Sequence, residues 1–404
     1  MMKPLRTAVV GAGQRSRELL AAAQSVAGME IVLVIDPSAT ARERVQEQHP
    51  GMVAASGLEA ALADHSIEAA LVLTPDDTHA SIGAALLEAG KHVMVDKPLA
   101  TTIEGADALL AAAARADRLL YPGHNMRFMP VVEILRRVVT EGMIGTPQAV
   151  WTRHFVGRGG DYFFRDWHSE SARSGGLLVH KACHDLDAMC YVLGTQISAV
   201  QAIGTNAVYH RCPPRAVDEP APAVVNDVRH WPPTALPEVN PAMDVEDLSM
   251  VNIVFEGGIM GSYAQCHFTP DYWRNYCVIG DAGRVENIGD EAGGGVLVWS
   301  RRRHGFDPQP DLRLPIQELS ASGTAKPAGS AWSTGNRGGA GHDGSDRRLL
   351  EDFVSAVRTG SQPRTDALTA RNVVAAGVMA RRSLRGDGRL LEVPAPLSFP
   401  APAH

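Results

Sequence analysis

The chain has 404 residues, 45% hydrophobic and 21% charged, with a formal net charge of -7. That is an ordinary globular composition, long enough for two domains, and its acidic balance gives neither nucleic acid nor an anionic membrane a basic surface to meet. No apolar run approaches the ~18 residues of a membrane span. The five cysteines, at 183, 190, 212, 266 and 277, form no CxxC pair and read as free thiols of a reducing compartment. The N-terminus runs straight into a strand with no signal-peptide pattern, so a cytoplasmic location is expected.

Arg6–Val10 reads as a buried strand. Gly11-Ala-Gly13-Gln14-Arg15-Ser16 follows and opens a helix to about Val26. This is the dinucleotide fingerprint G-x-G-x-x-G with serine at the third glycine. The first glycine permits the tight turn and the second lets the backbone approach a pyrophosphate. A second strand, Ile31–Ile35, ends in Asp36, twenty residues after Ser16, where a carboxylate would take the ribose hydroxyls and repel a 2′-phosphate. NAD is therefore expected over NADP. Arg42 and Arg44 lie beyond Pro37 on the next helix, with Glu43 between them.

Strands and helices then alternate, as βαβ units of a parallel sheet do. Ala69–Leu73 ends in Thr74-Pro75-Asp76-Asp77-Thr78-His79, a turn expected to line the cofactor cleft. His79 reads equally as a cofactor contact or as a neighbour of a helix N-cap. Lys91–Val95 runs into Asp96-Lys97-Pro98, which places a lysine at a strand's carboxyl end, where open α/β sheets bind ligands. Pro98 restricts Lys97 to extended backbone. The last strand of this kind, Leu119–Tyr121, precedes Gly123-His124-Asn125-Met126-Arg127. The domain boundary is set at 125, with a second domain over 126–392 and a proline-rich tail over 393–404.

In the second domain, one-sided apolar strands at 147–155, 196–203, 248–255, 258–267, 274–280 and 283–288 predict a large, mostly antiparallel open sheet packed on helices. Arg153–His168 interleaves rings with arginines. Arg158, Tyr162, Arg165, Trp167 and His168 suit a polar ring-shaped ligand, stacking on sugar C–H surfaces and donating hydrogen bonds, or else anchor a surface loop. Spacing puts His180, His184 and Asp187 on one face of a single helix ending at Gly194. That face is open to three readings: a divalent-metal pair, a structural cluster, or a base and substrate contacts. No third metal ligand is evident, so no metal is expected. Residues 206–245 form a proline-rich insertion and 319–342 a glycine- and serine-rich stretch.

The whole pattern resembles the glucose–fructose oxidoreductase / inositol dehydrogenase (Gfo/Idh/MocA) superfamily. Gly11-x-Gly13, Thr74-Pro75 with Thr78-His79, Asp96-Lys97-Pro98, Gly175-Gly176 and His184-x-x-Asp187 stand in the family's order. So does the closing helix pair with Gly360, Pro363 and Asp366. The resemblance implies an N-terminal Rossmann domain, a C-terminal α+β domain, and homodimers or homotetramers built through its sheet. It implies Lys97 as the catalytic lysine and His184 as the active-site histidine. Two positions depart from it: the usual Glu-Lys-Pro is Asp96-Lys97-Pro98, and His180 replaces the aspartate many members carry four residues before the histidine.

The resulting expectation is an NAD-dependent oxidoreductase acting on a secondary alcohol of a sugar, glycoside or cyclitol. Lys97, held by Asp96, would stabilise the developing alkoxide and His184 would accept the hydroxyl proton, with His180 orienting substrate or sharing the proton. Cofactor contacts are expected from Gly11, Gly13, Gln14, Arg15, Asp36, Thr74, Pro75, His79, Asp96, Lys97 and Asn125. Substrate contacts are expected from Arg127, Arg158, Tyr162, Arg165, Trp167, His168 and Asp187. The rivals are a redox glycosidase that regenerates its NAD within each turnover and a non-catalytic dinucleotide sensor.

Overall fold

The computed structural model describes residues 3–397 except 158, 222–226, 304, 306–307 and 317–343. Arg158, the 319–342 stretch and the end of the tail lie outside the described residues. The chain divides into two compact units: Met1–Phe128 with Gly338–Val374 and Ala395–His404, and Met129–Arg337 with Ala375–Pro394.

The first unit alternates β1 (Leu5–Val10), α1 (Gln14–Ala23), β2 (Met29–Ile35), α2 (Ala39–Gln48), β3 (Val53–Ala55), α3 (Glu59–Ala63), β4 (Ala69–Val72), α4 (His79–Glu88), β5 (His92–Asp96), α5 (Ile103–Ala116) and β6 (Leu120–Gly123). The strands lie in the order β3-β2-β1-β4-β5-β6, all parallel. The order reverses beside β1, so the loops after β1 and β4 flank the switch point where such sheets take ligands. Val9, Val34, Leu71 and Met94 have almost no exposed surface, and their apolar runs are those of strands covered on both faces.

The second unit carries α6 (Pro130–Thr140), β7 (Pro147–Val156), α7 (Gly159–Phe163), α8 (Ser171–Ser174), α9 (Leu177–His180), α10 (Cys183–Leu193), β8 (Ile197–Thr205), β9 (Leu248–Phe255), β10 (Met260–Cys266), β11 (Tyr272–Gly280), β12 (Arg284–Ile288), β13 (Gly295–Trp299) and β14 (Leu312–Pro315). Helices α11 (Ser345–Thr359) and α12 (Ala367–Arg385) and the short β15 (Leu391–Glu392) close the chain. Nine strands run β14-β13-β12-β11-β7-β10-β9-β8-β15, antiparallel except for the β7–β10 pair. The sequence reading names six of them; β13, β14 and β15 are additions.

Two further differences have plain causes. Helix α11 falls within the stretch read as the second domain, yet it packs in the first unit. Its Leu349, Leu350 and Phe353 are fully buried in one cluster with Leu19, Leu71, Met94 and Tyr121, and each such side chain contributes about 1.5–3 kcal/mol by its burial. Tyr121 adds a hydroxyl bond of 2.8 Å to the Asp352 carboxylate. The single helix expected from His180 to Gly194 is two, α9 and α10, separated by Lys181–Ala182. The Ala182 amide bonds the Leu177 carbonyl at 3.0 Å, a five-residue step that widens the turn and breaks the regular ladder. His180 and His184 therefore stand on different helices.

The described part of the 206–245 insertion is anchored at both ends. The Asp247 carboxylate accepts the amides of Ala207, Val208 and Tyr209 at 2.6–3.0 Å. Tyr209, Leu236 and Val239 bury against Phe163 and Phe164.

Candidate active site

In the first unit the dinucleotide turn is built as its sequence requires. Gly11 has φ +99°, and a Cβ there would sit 2.5 Å from the Leu73 carbonyl oxygen, so no larger residue fits without moving backbone. Ser16 closes the turn by donating its hydroxyl to the Gly11 carbonyl at 2.6 Å. A Cβ on Gly13 would meet no atom of the chain within 4 Å, so this glycine is not demanded by the protein's own packing. Gln14, exposed, opens α1, which has no acidic residue in its first turn. The early amides of a helix lack carbonyl partners and favour an anion. Asp36 is held at the end of β2: one carboxylate oxygen accepts the Ala12 amide and the other the Ser38 amide, both at 2.8 Å. Arg42 donates to the Asp36 and Pro37 carbonyls. These residues fit a dinucleotide with its pyrophosphate over Gly13 and its ribose at Asp36.

At the ends of β5 and β6, Arg15, Asp96 and Asn125 come together around a residue the sequence reading misses, Asp346. Arg15 pairs with Asp96 at 3.2 Å and, through both terminal nitrogens, with Asp346 at 2.6 and 2.8 Å. Asn125 donates to Asp346 at 2.8 Å. Burial opposes the Arg15 charge, but Asp96 and Asp346 more than offset it and hold the guanidinium well above its ordinary pKa. Asp96 thus gives one oxygen to Arg15, and its other oxygen is buried with no hydrogen-bond partner among the described residues. Lys97, next in the chain, is half-buried and joined to Pro98 by a cis peptide. Nothing on 1–128 marks Asp346 as a partner; it arrives from 331 residues away.

Thr74 and Thr78 join through their hydroxyls at 2.7 Å. Pro75 is half-buried beside them. His79, 1% exposed, faces the Pro98 carbonyl with Nδ1 (2.8 Å) and the Thr74 carbonyl with Nε2 (2.9 Å). It directly follows the N-cap Thr78 of α4, and its ring ties the two loops together. Arg127 is buried and donates to the Arg364 carbonyl at 2.6 Å, with Asp366 at 3.4 Å.

In the second unit a ring cluster forms around His168 and His180. His168 stacks on Trp167 at 4.0 Å and meets Tyr162 at 4.6 Å and His180 at 5.1 Å. Phe163, not singled out in the sequence, meets His168, His180 and His267 edge-on at 5.1–6.0 Å. Gly377 on α12 lets that helix close on α9, since a Cβ there would lie 2.6 Å from the Leu178 carbonyl oxygen. Arg165 stands apart, tied to Glu238 at 3.0 Å. His184 and Asp187 are buried on α10.

Between them lies Asp185, also missed, and completely buried. Arg274 reaches it at 3.0 Å, His154 Nδ1 at 3.0 Å, the Tyr276 hydroxyl at 2.6 Å and the Tyr263 hydroxyl at 3.2 Å. Burial alone would raise this carboxyl; Arg274 and then His154 outweigh it and hold it below the usual range. Burial and the Arg274 charge push His154 down to about 3, so it is the neutral donor in this set. The network fixes α10, and with it His184, to strands β7, β10 and β11. Among the described residues no three His, Cys, Asp or Glu side chains group so as to hold a metal.

Comparison with known proteins settles the family. Residues 5–124 match the Gfo/Idh/MocA model described as an oxidoreductase family with an NAD-binding Rossmann fold, and 132–286 match the family's C-terminal domain. The chain belongs to the Gfo/Idh/MocA family. It is similar to a 1,5-anhydro-D-fructose reductase from Ensifer adhaerens, 28% identical over 206 residues, half of this chain and 60% of that one. It is also similar to a scyllo-inositol 2-dehydrogenase (NAD(+)) from Bacillus subtilis, 25% identical over 395 residues and 95% of each chain. The chain spans about 60% of the length of the first curated relatives it matches. Among solved structures, a levoglucosan dehydrogenase complexed with NADH and L-sorbose covers 98% of this chain and 100% of its own at TM-score 0.79 and 18% identity, a likeness of fold. The first unit is thus the family's NAD-binding Rossmann domain. No described helix is long and apolar enough to cross a membrane.

Proposed function

We propose that this Gfo/Idh/MocA protein is an NAD-dependent dehydrogenase oxidising a secondary alcohol of a sugar, glycoside or cyclitol. One observation carries the reading. The carboxyl edge of a single parallel sheet holds both a dinucleotide cradle, at Gly13 and Asp36, and a half-buried lysine, Lys97. The relatives' names, a sugar-derivative reductase and an inositol dehydrogenase, support the substrate class. Asp36, fixed by the Ala12 amide, supports NAD over NADP because its charge opposes a 2′-phosphate.

When bound, NAD supplies the hydride acceptor. Lys97 polarises the substrate oxygen and stabilises alkoxide character. His184 takes the hydroxyl proton, and Asp185 holds the helix that carries it. Tyr162, Trp167, His168 and His180 present ring faces suited to sugar C–H surfaces. We further infer assembly as a homodimer or homotetramer through the nine-stranded sheet. One of its faces leaves Trp151, Ile203, Met250 and Met260 between 45 and 66% exposed, an apolar patch of the kind that marks an interface.

The test is product analysis with NAD and a panel of pyranoses, glycosides and cyclitols. The expected result is NADH and a keto product in equal amounts. Aglycone release without NADH would establish a redox glycosidase instead.

A further inference from the structure

We propose that Asp346 is a positioning residue for the dinucleotide. It draws the donors of Arg15 and Asn125 onto itself, and so keeps two buried acceptors, Asp96 Oδ1 and Asn125 Oδ1, available to donor groups of the nicotinamide half of NAD. The inference rests on the first unit being the NAD-binding domain and on Lys97 marking its reactive end. All four residues belong to that unit.

Asp346 stands in the first turn of α11, where a carboxylate suits the positive end of the helix. Its Oδ1 accepts from Arg15 Nη2 and from Asn125 Nδ2, both at 2.8 Å, and its Oδ2 accepts from Arg15 Nη1 at 2.6 Å. A carboxylate only accepts, so the Asn125 amide turns its nitrogen to Asp346 and its oxygen away. That oxygen is buried and meets no donor among the described residues. The terminal nitrogens of Arg15 are likewise committed to Asp346, with Glu18 a further partner of Nη1 at 3.2 Å. Only Nε reaches Asp96, at 3.2 Å from Oδ2. A guanidinium released from Asp346 would close a two-pronged pair on Asp96, the geometry that arginine and a carboxylate favour. Held by Asp346, it leaves Asp96 Oδ1 buried with no hydrogen-bond partner among the described residues.

The two bare oxygens belong to neighbouring strand ends. Asp96 ends β5 and pairs with Gly123, the last residue of β6, two residues before Asn125. Gly123 leaves Oδ1 its room, since a Cβ there would lie 2.8 Å from that oxygen. Buried acceptors without donors cost free energy, and a ligand that donates to them recovers it. An anionic group such as the pyrophosphate would be opposed there by the Asp96 and Asp346 charges. The nicotinamide half of NAD brings donors of two kinds, ribose hydroxyls and a carboxamide N–H. ADP lacks that half altogether.

The test is calorimetric binding of NAD, ADP-ribose and ADP to the full chain, without substrate, for wild type and Asp346→Asn. The variant keeps the size of the side chain, loses the charge that holds Arg15, and offers an amide N–H of its own to the bare oxygens. NAD affinity is expected to fall about tenfold, with ADP affinity within about twofold of wild type. Loss for ADP-ribose as well as NAD assigns the acceptors to ribose hydroxyls; loss for NAD alone assigns them to the carboxamide. Asp346→Glu, which restores the charge, should recover part of the affinity, as a general loosening of the fold would not. Asn125→Ala removes one acceptor, leaves the Arg15–Asp346 pair in place, and should show the same split between NAD and ADP; it carries the test if Asp346→Asn fails to fold. Wild-type NAD affinity in either variant, or a loss for ADP equal to that for NAD, overturns the proposal. Failure of the dehydrogenase reading is separately visible in product analysis, since none of these binding measurements requires turnover.

Discussion

The two units bury charge in opposite ways. In the second, Asp185 sits under the sheet with Arg274, His154, Tyr263 and Tyr276 all within 3.2 Å, and its carboxyl is held low. Every oxygen is used. In the first, Asp96 keeps a buried oxygen without a hydrogen-bond partner among the described residues, and Asp76 is pushed up to about 7. The saturated cluster lies on helix α10; the unsatisfied Asp96 oxygen lies at the carboxyl end of β5. A buried polar group costs free energy unless it is satisfied. Nature of the site follows from where that cost is tolerated: saturated charge holds a scaffold, and unsaturated charge at a strand end is ready for a ligand or a proton.

The contrast can be broken by substitution. The largest effect is expected from His184→Ala, which should cost about 10²–10⁴ in kcat and flatten the acid limb of kcat/KM, as loss of a general base does. Its melting temperature should stay near wild type, and a collapse of the fold instead would make His184 structural. Next comes Asp185→Asn, which removes the charge nearest Arg274, leaves it the longer pair to Asp290 at 3.5 Å, and should destabilise the protein by about 3 kcal/mol in denaturant titration. Asp96→Asn should cost under about 1 kcal/mol, because Arg15 keeps its two bonds to Asp346. Equal losses from the two would erase the distinction between scaffold and site. On cofactor choice, Asp36→Ala is expected to narrow the preference for NAD over NADP by about tenfold, or ~1.4 kcal/mol by calorimetry. An unchanged ratio would remove Asp36 from cofactor choice.

Sequence periodicity carries the parallel sheet almost entirely, because each strand there is a buried apolar run closed by a turn signal. Strand β9 lies at 248–255 as expected. Strand β13 escapes notice because Gly293–Gly295 blurs its start, although Val296, Leu297 and Val298 are buried. The helix break at Lys181–Ala182 has no glycine or proline to announce it; it lives in one backbone bond. The residues Gly11, Gly13, Asp36 and Lys97 are legible because each belongs to a motif local to its own turn. Asp346 is not, since its meaning is a contact made across the chain. Asp185 stands beside His184 in plain view, but its role depends on Arg274 and His154 from distant strands.

The most direct test of the central claim is Lys97→Met, assayed for NAD binding and for turnover in the same preparation. The account predicts unchanged NAD affinity, because the lysine serves the substrate oxygen, and a fall in kcat of at least ~10²-fold, about 3 kcal/mol of transition-state stabilisation. Near-normal turnover with any oxidised substrate would contradict it.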